Sequence, residues 1–118
     1  MSMSSEMKNA SLVKLVFEFG FDEHEEYEAE SRGYRSHVWA ELDDGSRHPL
    51  TFYDLTRLSQ TLKDECSSGR SFFAEPGLVV VPVVNRANME AAARTLASEG
   101  FFSQKVFPTD LAQTVDPA

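Results

Sequence analysis

The stretch His24-Glu25-Glu26-Tyr27-Glu28 comes nearest to a reactive pattern in this chain. Zinc hydrolysis from a helix uses two imidazoles four residues apart, with a glutamate beside the first as general base. His24 and Glu25 match the first imidazole and the base, but Glu28 stands where the second His belongs. A carboxylate can ligate zinc, so the pattern is broken rather than absent. Calcium is served no better, because the segment lacks the alternating oxygen ligands and central Gly of an EF-hand loop. We expect neither a metal nor any other cofactor.

The remaining reactive side chains are scattered. His37 and His48 lie on two consecutive apolar segments, and one pairing of those segments would set Glu41 opposite His48. An acid–base role needs a third orienting group and a pocket around the pair, and neither is visible. Cys66 is the only cysteine. It follows Leu58 and Leu62 at helical spacing and falls at a helix C-terminus, where the dipole disfavours a thiolate. It therefore reads as core packing. Gly69-Arg70-Ser71 and Asn85-Arg86 could meet an anion, but both lack the glycines and the Lys-Ser/Thr pair of a phosphate loop. A small enzyme or ligand-binding protein would have to assemble its site from distant residues, with His37, Glu41, His48 and Arg70 as first candidates.

Charge is the stronger signal. Asp22, Glu23, Glu25, Glu26, Glu28 and Glu30 place six carboxylates in nine residues, against a net charge of −8 for all 118. Burying unpaired carboxylates is costly. The segment is thus expected to be a solvated loop or a docking surface for something positive. The sequence pI of about 4.8 disfavours nucleic-acid backbones and anionic membranes, which select clustered Lys and Arg. A basic protein is the better-matched partner. A lone cysteine and no apolar leader point to a cytoplasmic setting.

The elements that would carry these residues follow from periodicity. After a loose leader at residues 1–10, Val13, Leu15, Phe17, Phe19 and Phe21 alternate as one face of a strand. Residues 34–42 and 47–53 flank Asp43-Asp44-Gly45-Ser46, a hairpin signal. A three-residue turn with a glycine bulge pairs Glu41 with Arg47 and Val38 with Leu50. This register joins opposite charges and sets Val38, Ala40, Leu50 and Phe52 on one face, so we prefer it to the two-residue alternative. Trp39 then faces the other way. Pro49 lacks a ladder donor, which places it at an edge or facing out. Asp54 caps a helix striped by Leu55, Leu58, Leu62 and Cys66. The run Leu78–Val84 reads as a strand covered on both faces, interrupted by Pro82. Asn85 caps a second helix, with Met89, Ala92, Ala93 and Leu96 inward. Residues 101–107 read as a last strand, and 108–118 as a tail.

The expected domain is α+β over residues 11–107. It has a single mixed sheet of about five strands, in the order β-β-β-α-β-α-β, with two helices on one face. The expected function is non-enzymatic: an acidic interaction domain of immunity, inhibitor or adaptor type. It would dock a basic partner through residues 22–30, with the hairpin aromatics Tyr34, Trp39 and Tyr53 as further contacts. A homodimer seam along an exposed edge beside Trp39 is the competing use of that surface.

Overall fold

The computed structural model describes residues 9–103. Their order is β1 (Leu12–Phe17), α1 (Glu23–Arg32), β2 (Tyr34–Leu42), β3 (Arg47–Tyr53), α2 (Leu55–Ser67), β4 (Leu78–Val80) and α3 (Arg86–Ser98), then a 3-10 turn at Phe101–Ser103. One sheet runs β1-β2-β3-β4. Its first two pairings are antiparallel and β3–β4 is parallel, with α2 as the crossover. The mixed α+β class is as expected, but the described residues hold four strands and three helices rather than five and two. The acidic segment supplies the extra helix. The final strand is replaced over 101–103 by the 3-10 turn, and the rest of it lies outside the described residues. So do residues 1–8 of the leader and the tail. Asn9 and Ala10 belong to the fold: Asn9 Nδ2 donates to Ser98 O at 3.0 Å, and Ala10 packs on the core.

The hairpin takes the bulged register, with Glu41 opposite Arg47 and Val38 opposite Leu50. Gly45 supplies the positive φ of the turn, at 87°. Val38, Ala40, Leu42, Leu50 and Phe52 line the inner face with Leu15, and Met89, Ala93 and Ala97 of α3 complete the core. Each large apolar side chain buried here contributes about 1.5–3 kcal/mol. Asp54 and Asn85 cap α2 and α3 as expected, accepting from Arg57 N and Asn88 N. Thr51 N, on the side of β3 that faces β4, donates to Gly77 O. Pro49 faces the same edge just before β4 begins, so its missing donor is not needed.

Three expectations fail for physical reasons. Strand β1 ends at Phe17, because the chain turns through Glu18 and Phe19, closed by Gly20 N to Phe17 O. A register shift leaves Val13 exposed, and Phe19 stands 88% exposed. β4 is a three-residue edge strand rather than a strand covered on both faces, and Val80 is exposed. Finally, α2 buries none of its side chains. It half-buries Arg57, Leu58, Thr61 and Glu65, while Leu55 is 71% exposed and Cys66 is exposed too. Cys66 is therefore not a core residue.

Candidate functional site

The acidic segment is helical, not a loop. Asp22 is its N-cap and accepts from Glu25 N at 2.8 Å. Glu23, Glu25 and Glu26 occupy the first turn, where the dipole favours negative charge, and Arg32 occupies the last. Gly33 ends it at φ 69°, a left-handed position whose missing Cβ leaves room for the Asp54 carboxylate.

Most of these carboxylates already have cationic or backbone partners within the chain. Glu25 meets Arg35 Nη1 at 3.1 Å, Glu28 meets Arg32 Nη2 at 3.2 Å, and Glu26 accepts from Arg86 N at 2.7 Å. Arg35 is only 13% exposed. It also donates to Glu18 O, Gly20 O and Ser36 O, clamping the turn that projects Phe19. Phe17 and Phe21 stack at 4.3 Å, and the guanidinium carbons of Arg35 and Arg86 lie 5.1–5.5 Å from their ring centres. This knot ties β1, α1, β2 and α3 together. Of the six acids, Glu23 and Glu30 alone make no bond among the described residues, and they flank the exposed Tyr27 at helical spacing. His24 Nε2 reaches only Glu28, at 4.0 Å, and no group of three or more potential ligands gathers among the described residues.

The four dispersed candidates do not converge. His48 sits opposite Ala40, its ring stacked on Phe102 and its Nε2 2.9 Å from Ser46 Oγ. Glu41 pairs with Arg47 on the other face, and Arg70 pairs with Glu65 and stacks on Phe72. His37 is elsewhere again, in the feature that the sequence did not reveal.

That feature is a bulge in β2. Arg35 pairs with Phe52 and Val38 with Leu50, so Ser36 and His37 together oppose Thr51. His37 is forced to φ 59°, an uncommon conformation for a non-glycine residue. Its carbonyl accepts from Glu18 N, and its Nδ1 lies 2.9 Å from Ser36 Oγ. Bulges bend a strand and re-aim side chains, and they gather beside functional sites. Here the bulge opens a cleft of about 290 Å³ on the outer face. Tyr34, His37 and Trp39 line it from β2, Pro49 and Thr51 from β3, and Glu75 and Pro76 from the loop before β4. Trp39 faces outward opposite Pro49, as the register requires. Tyr53, by contrast, is buried, covered by Phe73 edge-on at 5.7 Å, and donates its hydroxyl to Glu75 Oε1 at 2.7 Å. Burial, then the Glu75 bond, pushes the Tyr53 pKa well up, so its hydroxyl stays a donor. Tyr53, expected as an outward contact, is thus buried, with its hydroxyl committed to Glu75.

Sequence reading found Trp39 and Tyr34 but missed Ser36, Thr51 and Glu75. No local signal marks a bulge without glycine, and Glu75 arrives from a loop more than twenty residues away. Trp39 is not on an edge strand. The edge beside it is β1, which is broken by the Val13 bulge, a device that blunts strand-to-strand association. Among the described residues, a larger hollow along α2 is lined by that helix alone, from Leu55 to Asp64, and is an open flank rather than a cleft. No described helix is long and apolar enough to cross a membrane. No family model, curated protein or solved structure matches this chain.

Proposed function

We propose that the protein is a non-enzymatic interaction domain that docks a basic protein partner. The observation that carries this reading is the bulge cleft, which an outward Trp and an acidic residue line together, in a chain of net charge −8. Trp and Tyr are the side chains that most often anchor interfaces. Complementary charge speeds association and makes it sensitive to salt. The contribution of the acidic helix to docking rests on Glu23 and Glu30. Replacing Glu25, Glu26 and Glu28 would test folding instead.

The experiment is affinity capture from the source organism at low and moderate salt, followed by reconstitution with the purified partner. Wild type should retain a basic protein at low salt. Trp39→Ala should lose it, and the Glu23→Gln/Glu30→Gln pair should weaken it. Equal retention by wild type and both variants would refute the reading.

A further inference from the structure

We infer that the bulge cleft is a receptor for an arginine side chain of the docking partner, its guanidinium stacked on Trp39 and paired with Glu75. This rests on the interaction reading above and names the group that is recognised.

Four observations support it. First, Trp39 and Glu75, an aromatic and an acidic residue, both line the cleft. A planar guanidinium suits that pair, because it stacks on aromatic faces and pairs with carboxylates through a fixed fork of donors. Second, the carboxylate is held in place. Tyr53 donates to one oxygen of Glu75, and Tyr53 is fixed between Tyr34 at 4.9 Å and Phe73. Third, the chain uses the same contact internally. Arg35 and Arg86 lie over Phe17 and Phe21, Arg57 over Tyr34, and Arg70 over Phe72. Among the described residues, no guanidinium lies over Trp39. Fourth, Thr51, only 7% exposed, lines the same cleft, and a hydroxyl accepts from a guanidinium N–H.

The cost of building the site is visible in the backbone. His37 holds a left-handed φ and the ladder is broken at Ser36, with no buried side chain gained at His37. Strain kept without a packing return is a feature of binding sites.

The chain has a single Trp, so its emission reports on this cleft alone. The probe is a capped Gly-Arg-Arg-Gly peptide, compared with the same peptide carrying citrulline, a neutral isostere of arginine. The arginine peptide should shift Trp39 emission saturably. Citrulline should weaken the apparent affinity at least tenfold. Glu75→Gln, which keeps a neutral acceptor for Tyr53, should do the same while unfolding stays cooperative at a slightly lower temperature. An equal response to both peptides, or no response at millimolar arginine peptide, would overturn the assignment. The two readings fail separately. A captured basic partner with silent Trp39 emission removes the arginine receptor and leaves the docking domain. A titrating peptide without any captured partner does the reverse.

Discussion

Single Gln substitutions along α1 separate structural carboxylates from free ones. The decisive variant is Glu26→Gln. Glu26 accepts from the first backbone N–H of α3, sixty residues away, at 2.7 Å. Hydrogen bonds to a charged group contribute about 1.5–3 kcal/mol, against about 0.5–1.5 for neutral ones. Gln keeps the acceptor and loses the charge, so about 1 kcal/mol goes with it. Loss of the charge–dipole attraction at the α3 N-terminus adds about 0.3–1 kcal/mol. The sum is about 1–2 kcal/mol. With a urea slope of about 1–2 kcal/mol per molar, the unfolding midpoint should fall by about 1 M. Glu25→Gln breaks a 3.1 Å pair with Arg35, but Glu25 is 43% exposed. Solvent screening holds its cost to about 0.5–1 kcal/mol. Glu23→Gln and Glu30→Gln, with no partner among the described residues, should stay within about 0.5 kcal/mol of wild type. A Glu26→Gln midpoint no lower than that of Glu23→Gln would refute the claim that this helix spends its charge on the fold.

Arg35→Lys should destabilise by about 2–3 kcal/mol, because an ammonium cannot serve three carbonyls and Glu25 together; calorimetry should show a fall in Tm of about 10 °C or more. Gly77→Ala should cost clearly more than Gly20→Ala in the same denaturant assay. Both sit at positive φ, but only at Gly77 would a Cβ meet backbone, that of Pro49. Asp44 is held below its ordinary pKa of 3.8, first by the Ser46 hydroxyl and then by the Ser46 N–H. Its folded-state value is lowered, so its stabilisation is present above the unfolded value and lost as pH falls through the folded one; Ser46→Ala should flatten the acid side of a stability–pH curve. Tyr53 shifts the opposite way, so its contribution is complete below its ordinary 10.0 and is lost as pH rises beyond it. Tyr53→Phe should remove that alkaline loss.

What was legible in the sequence is what local chemistry decides. Asp43-Asp44-Gly45 with Glu41 and Arg47 identified the bulged hairpin, and from it the inner face of Val38, Ala40, Leu50 and Phe52. Asp54 and Asn85 marked their helices because a cap bonds within three residues. The acidic helix was illegible because its relief from self-repulsion comes from Arg35 and Arg86, well outside the segment. The α2 stripe misled because amphipathic spacing shows that one side is apolar, not that anything covers it. Half of the candidate site was readable, since outward Trp39 follows from the register. The other half was not, because the Ser36–His37 bulge and the approach of Glu75 depend on how β1, β3 and a distant loop close around β2.

The bond from Asn9 to Ser98 gives the described chain a nearly closed path, its first residue lying against the end of its last helix. The order of the elements is then partly a matter of where that ring is cut. Joining Ser103 to Asn9 through a short linker and reopening the chain in the exposed Asp43–Gly45 turn would give β3-α2-β4-α3-β1-α1-β2 with the same sheet neighbours. β2 would then come last in the chain and β3 first, so the central pair of the sheet would change from a local hairpin into its most distant contact. The finished fold would be preserved, and folding would slow, because loop closure rather than native contacts would have changed.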